Sequence, residues 1–224
     1  MHIPDGFLNN GLAGGLLAGA LGMIAFCFSK AFGAVTVFAG KLAGNNGGVS
    51  FSGSFPGLGS DAGKCFMKLA IIAIWVFASQ MFNITVASAT SVHLIGGVFA
   101  AVLAGPFAGF LIISSVLIVQ SLFFADGGFL ALGANIFNMA FIGSFASYYV
   151  YKTVLKKNYY LAVAAACFFS VLTAALFCLL ELGISGSVSF VQAFKDMMSL
   201  HFLFAAAETL ITLFLLKLFK LLEI

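Results

Sequence analysis

Charged residues are scarce in this 224-residue chain, and arginine is absent. Only 8% of the residues are charged, whereas a typical soluble domain has about 25%. Hydrophobic residues make up 62% of the chain, and the mean hydropathy is +1.16. This composition excludes an ordinary soluble domain and indicates an integral membrane protein. The net charge of +3 comes from lysines near the ends of apolar segments, so it reports membrane topology and argues against nucleic-acid binding.

Motifs for nucleotide hydrolysis and intramembrane catalysis are also missing. The chain has no phosphate-binding loop that ends in Gly-Lys-Ser/Thr, so we do not expect it to hydrolyse ATP by that route. It has neither His-Glu-x-x-His nor Gly-x-Gly-Asp, which disfavours an intramembrane enzyme. Its four cysteines form no Cys-x-x-Cys pair and stand among apolar neighbours, as small packing residues do.

The apolar segments predict an all-α polytopic membrane protein with about seven transmembrane helices. We predict spans at residues 11–33, 65–83, 92–105, 106–124, 135–151, 159–182 and 200–222. The third is too short to cross a bilayer, so its helix is predicted to begin inside the outer half of the membrane. The polar, glycine-rich stretch 40–64 is predicted to be a flexible cytoplasmic loop, and residues 125–134 are a candidate for re-entry into the membrane.

Lysine placement predicts the orientation of these spans. With seven spans, three lysine groups fall on one side, at residues 30–68, 152–157 and 217–220. The positive-inside rule makes that side the cytoplasm, so the amino terminus lies outside and the carboxyl terminus inside. Because the charged and apolar regions do not follow the order of a cleavable signal, we expect Met1 to be retained.

The first two residues, Met1 and His2, form a potential chelator. The α-amine, the amide nitrogen of His2 and its Nδ1 can close adjacent five- and six-membered rings around one ion. A planar set of nitrogens suits Ni(II) or Cu(II) better than the tetrahedral Zn(II). His93 is predicted on the same outer side, where it could supply the fourth nitrogen. The alternative is that His2 merely follows the start residue.

Other polar residues could support such a site, and one helix face could bind another subunit. Candidates for holding the ligands in place are Asp5, Ser91, Asn135, Asn138, His201 and Glu208. The alternative for these side chains is a hydrogen bond between helices.

Gly11, Gly15 and Gly19 recur every four residues, a spacing that permits close helix contact, either within this chain or with a membrane partner.

Three motifs in order strongly resemble those of the CbiM/NikM family, the substrate-capturing membrane components of energy-coupling factor transporters for cobalt and nickel. They are Met1-His2-Ile3-Pro4-Asp5-Gly6, Ser91-Val92-His93-Leu94-Ile95-Gly96-Gly97 and Asp126-Gly127-Gly128 with the following Ala131 to Met139. The resemblance implies a single substrate-capture domain over residues 1–224, in a prokaryotic plasma (inner) membrane.

The resemblance also implies the ligands, the cargo and the partners. The metal would be held by Met1, His2 and His93, with nickel favoured and cobalt possible, and no cofactor beyond the transported ion is implied. The expected partners are a cytoplasmic ATPase, a transmembrane coupling subunit and a small accessory membrane protein. Two other functions stay open: an ion-coupled secondary transporter, for which only Glu208 and Glu181 are acidic candidates, and a vitamin-specific capture component.

Overall fold

A computed structural model of the chain describes residues 2–42, 61–86 and 90–222. Met1 lies outside the described residues, and so does the stretch 43–60, most of the predicted cytoplasmic loop. Side chains are described for these ranges except at residues 32–42, 61–62, 85–86, 90 and 192.

The structure is almost entirely helical, which confirms the predicted class. Its helices are α1 (Asn10–Leu42), α2 (Asp61–Gln80), α3 (Gly97–Ala104), α4 (Pro106–Phe123), α5 (Leu132–Asn135), α6 (Ser147–Leu155), α7 (Tyr159–Ile184) and α8 (Phe190–Leu221). A π-helical segment, Ile136–Ala146, joins α5 to α6, so residues 132–155 form one rod and the described residues contain seven helical rods. Five of these are long and apolar enough to cross a membrane: α1, α2, α4, α7 and α8.

The third predicted span differs most from the structure. We predicted helix from residue 92, but Thr90–Val92 is strand β2, which pairs antiparallel with strand β1, Ile84–Val86. Residues 93–96 are irregular, and Gly96 has a left-handed φ of 70°. The helix therefore begins only at Gly97, because the chain must turn there before the eight-residue α3 can start.

The short helix α3 is packed unusually closely on two sides. A Cβ added to Gly97 would overlap the carbonyl of Gly143 in the π-helical segment. A Cβ at Gly109 of α4 would lie 2.7 Å from the Cα of Ala101. Glycine at these crossings lets the backbones approach as they do in tightly packed membrane helices. As a result α3 is enclosed by protein, and the loop before it has a fixed position.

Helices α1 and α8 are longer than we predicted. They contain 33 and 32 residues, about 50 and 48 Å at 1.5 Å per residue, against a bilayer core of about 30 Å. Helix α8 begins at Phe190, ten residues before the predicted span. The prediction missed these ten residues because Lys195 and Asp196 interrupt the apolar run.

Candidate metal centre

The amino-terminal segment, residues 2–9, folds back onto the protein through its main chain. The amide of Ile3 donates to Asn135 Oδ1 at 2.8 Å, and Asn135 Nδ2 donates to the Ile3 carbonyl at 3.2 Å. That carbonyl also accepts from the amide of Gly128 at 2.9 Å. Ile3 is fully buried. Asn135 therefore binds the main chain of the residue that follows His2.

Asp5 makes the second attachment of the amino-terminal segment. Its carboxylate accepts from the amides of Phe129 (3.1 Å), Leu130 (2.7 Å) and Ala131 (3.3 Å). Hydrogen bonds from backbone amides to a carboxylate are charge-assisted and relatively strong. Asp5 therefore fixes the segment against the loop 124–131, which supports its predicted role as a supporting residue.

The end of the amino-terminal segment nearest α1 is held by the connection between α7 and α8. The amide of Asn9 donates to Ser185 Oγ at 3.1 Å, and Ser187 Oγ donates to the carbonyl of Phe7. Asn9 Oδ1 then accepts from the amide of Leu12, so Asn9 caps the start of α1. The segment is therefore attached along its length and not only at His2.

The glycines of the Asp126-Gly127-Gly128 motif make room for this segment. A Cβ at Gly127, whose φ is +87°, would lie 2.7 Å from His2 Nδ1. A Cβ at Gly128 would overlap the carboxylate and amide nitrogen of Asp5. The motif is therefore explained by the close approach of the amino-terminal segment.

We expect Gly128→Ala to displace the amino-terminal segment. Relieving an overlap of this kind typically costs about 1–3 kcal/mol, so the melting temperature in detergent should fall. Limited proteolysis should cut the chain before α1 more readily. Gly14→Ala in α1 is the matched control, because its added Cβ meets no described atom within 4 Å. Equal melting temperatures and proteolysis for the two variants would contradict the docking of the segment.

His2, at the start of this segment, lies beside His93. Their ring centroids are 4.6 Å apart with an interplanar angle of 59°. His2 is 4% exposed and His93 is fully buried. The structure therefore brings these two histidines together from distant parts of the chain, and their role as metal ligands stays a prediction.

Backbone carbonyls set the tautomer of both rings. His2 Nδ1 lies 3.1 Å from the carbonyl of Asp126, and His93 Nδ1 lies 2.8 Å from that of Leu94. A carbonyl can only accept, so each Nδ1 carries the proton and each Nε2 keeps its lone pair. Neither Nε2 has a hydrogen-bond partner among the described residues. A buried, unpartnered lone pair is costly for a protein and suits a metal ion.

Burial keeps both imidazoles neutral. It lowers the pKa of His2 to about 3 and holds the pKa of His93 well below its usual value. A neutral imidazole is the form that binds metals. Burial also raises the pKa of Asp126, whose Oδ1 lies 3.7 Å from His2 Nδ1 and accepts from Asn83 Nδ2 at 3.2 Å. Asp126 is a site residue that our sequence prediction did not select, although its Asp-Gly-Gly motif marked the position.

The other predicted supporting residues lie on neighbouring elements, and His201 is close enough to His93 to add to the lowering of the pKa of that ring by burial. Asn138 Nδ2 donates to Glu181 Oε2 at 2.7 Å, and His201 Nδ1 lies 2.7 Å from the Met197 carbonyl within α8. Ser91 lies in β2 opposite Thr85. Glu208 accepts from the amides of Ile95 and Gly96. Asn138 and Glu208 thus make hydrogen bonds to other elements, the alternative stated above, and a supporting role for them stays a prediction.

The glycine face of α1 is exposed. Gly11, Gly15 and Gly19 are all exposed, and an added Cβ at Gly15 or Gly19 would meet no described atom within 4 Å. Gly15 and Gly19 line an apolar groove of about 270 Å³ between α1, α4 and the π-helical segment. This face does not pack on the described part of the chain, so the partner interface stays a prediction.

Side chains alone do not complete a metal site. Within residues 2–42, 61–86 and 90–222, no group of three histidine, cysteine, aspartate or glutamate side chains could hold an ion. Two imidazoles leave a four-coordinate ion short of donors, so main-chain nitrogens of the amino terminus would have to supply the others.

Comparison with known proteins identifies the family of the chain. The family model described as the cobalt uptake substrate-specific transmembrane region matches residues 2–223. The chain belongs to the CbiM family. Members of the family are cobalt and nickel transport components, and this CbiM-family chain is a multi-pass membrane protein.

Individual relatives are transport proteins. A putative fused nickel transport protein, NikMN, of Archaeoglobus fulgidus is 35% identical over 85% of this chain and 55% of its own length. A putative metal transport protein of Haloquadratum walsbyi is 30% identical over 85% of this chain and 75% of its own. The CbiM-family chain thus spans only about half of the fused relative.

A solved structure has the same fold. The crystal structure of a transition metal transporter is 29% identical and superposes with a TM-score of 0.78, covering 100% of this chain and 95% of that chain. The described residues of this CbiM-family chain therefore share the fold of that transporter.

Proposed function

We propose that this chain is a single capture domain, over residues 1–224, that binds a divalent transition-metal ion from outside the cell. Nickel is favoured over cobalt because the donor set is four nitrogens in one plane, the geometry of Ni(II). The donors are the amine of Met1, the amide nitrogen and imidazole of His2, and Nε2 of His93. The observation that carries the proposal is the buried pair of neutral imidazoles, with ring centroids 4.6 Å apart.

Loading requires one local change. The chelate uses His2 Nδ1, which lies 3.1 Å from the Asp126 carbonyl. The ring of His2 must therefore give up that contact, and its proton must move from Nδ1 to Nε2 as the ion arrives, so the imidazole releases no net proton. His93 needs no such change, because its Nε2 is already without a partner among the described residues.

Inward transport needs energy from partners. We propose that a cytoplasmic ATPase and a transmembrane coupling subunit of an energy-coupling factor transporter supply it, together with a small accessory membrane protein. Two observations support this assignment. Relatives of the chain are named as nickel and cobalt transport proteins, and the glycine face of α1 is exposed.

His93→Ala tests the ligand assignment against a matched histidine. We expect this variant to lose at least about 100-fold in Ni(II) affinity, since one of four nitrogens is removed. His201→Ala is the comparison, because His201 is equally buried and its Nε2 also has no partner among the described residues, but it lies outside the proposed ligand set. Its affinity should fall by only about 10-fold, the lower end of the range for residues that support a ligand. Equal losses in isothermal titration would contradict the assignment of His93.

A further inference from the structure

The loop of residues 93–96 carries His93 and is held by side chains from two distant helices. The amide of Ile95 donates to Glu208 Oε2 at 2.9 Å, and that of Gly96 donates to Glu208 Oε1 at 2.7 Å. From α2, Gln80 Nε2 donates to the carbonyl of Ile95 at 2.7 Å. Both peptide groups of Ile95 are therefore fixed by buried side chains, two residues from His93.

Glu208 lies deep in the membrane-spanning part of α8 and is 2% exposed. A buried carboxylate in a membrane helix is expensive and tends to mark function. Each of its oxygens accepts one backbone amide, so the carboxylate uses both acceptors on a single loop. The simplest alternative is that Glu208 only caps α3, whose first amides need acceptors.

A glutamine would fill the same space but could not make the same contacts. Its amide nitrogen would face a backbone N–H, and two donors repel each other. The chemistry of the loop therefore requires a carboxylate at this position, and the loop cannot keep its conformation if one acceptor becomes a donor. The nearest residue with a predicted function on this loop is His93, whose Nδ1 contacts the next carbonyl, that of Leu94.

We propose that Glu208 is a positioning residue for His93. By holding the loop of residues 93–96, this side chain of α8 determines the position of His93 Nε2, the proposed fourth nitrogen ligand. This inference rests on the proposed function. Glu208 does not touch the ion or the imidazole, and it acts by fixing the backbone of Ile95 and Gly96. Because α8 carries this contact, a displacement of α8 would be transmitted to the ligand loop.

The experiment compares Glu208→Gln with Glu181→Gln in purified full-length protein. Glu181 is the matched control, because it is also a buried carboxyl, 5% exposed, but contacts Asn138 and not the ligand loop. We expect Glu208→Gln to weaken Ni(II) binding 10- to 100-fold, the range typical of residues that orient metal ligands. Glu181→Gln should change the affinity less than about threefold.

A double-mutant cycle separates positioning from capping. If Glu208 acts through His93, Glu208→Gln should add little to the loss in affinity already caused by His93→Ala. The visible absorption of bound Ni(II) should shift in Glu208→Gln toward that of His93→Ala. A mere cap would lower the melting temperature and leave the affinity and spectrum of the folded protein unchanged, which would overturn the proposal.

Two further outcomes are distinguishable. If Glu208→Gln does not fold, Glu208→Asp keeps both acceptors but is one methylene shorter, and it should still weaken binding several-fold. Unchanged affinity in Glu208→Asp would then overturn the positioning role. If the unaltered protein fails to bind Ni(II), the proposed function fails. If it binds and Glu208→Gln binds equally well, only this inference fails.

Discussion

A tag of several residues ahead of Met1 is expected to abolish high-affinity Ni(II) binding while the protein still folds. The extension converts the α-amine into an amide and removes the terminal donor of the chelate. It must also be accommodated beside His2, which is only 4% exposed. We expect a loss of at least about 1,000-fold, equivalent to about 4 kcal/mol, because the remaining donors no longer form two fused rings.

The matched control carries the same added sequence at the carboxyl terminus. It should bind Ni(II) as the unextended protein does. A second control places a protease site so that cleavage regenerates Met1, and cleavage should restore binding. An extended protein with unchanged affinity and an unchanged melting temperature would contradict the participation of the amine.

Ni(II) affinity is expected to fall about 100-fold for each pH unit below about pH 8. Two protons must leave when the ion binds, one from the amine, whose reference pKa is about 8, and one from the His2 amide. The imidazoles add no further protons, because burial lowers the pKa of His2 to about 3 and holds that of His93 below its usual value. Above about pH 8 the amine is already deprotonated, so the dependence should become about 10-fold per unit.

Isothermal titration in buffers of different ionisation enthalpy counts these protons directly. About two should be released per ion near pH 6.5, and about one near pH 9. Release of only one proton at pH 6.5 would show that the amide stays protonated, and the planar chelate would then be wrong. A steeper dependence near pH 6 would show that a histidine titrates with an ordinary pKa.

Hydropathy was sufficient to predict the membrane class and most spans, because a span needs only a long apolar run. It failed where charged residues interrupt the apolar run of a helix, as Lys195 and Asp196 do in α8. It also failed at residue 92, where an apolar run is interrupted by a strand and by the left-handed Gly96. Apolar composition does not distinguish these backbone conformations.

The pairing of His2 with His93 followed from topology, since both were predicted on the outer side. The roles of Asn135 and Glu208 did not follow, because each binds backbone groups more than 100 positions away, which no local pattern records. The Asp-Gly-Gly motif held a usable signal. Two adjacent glycines before a helix are a pattern that permits close approach of another segment, although we did not interpret them so, and the structure shows that residues 2–9 approach there.

The most direct test is anomalous diffraction at the nickel edge from crystals of Ni(II)-loaded protein with an authentic amino terminus. The account predicts one strong peak between the imidazoles of His2 and His93, within bonding distance of His93 Nε2 and of the amine of Met1. A strong peak elsewhere, with none between these two rings, would contradict it.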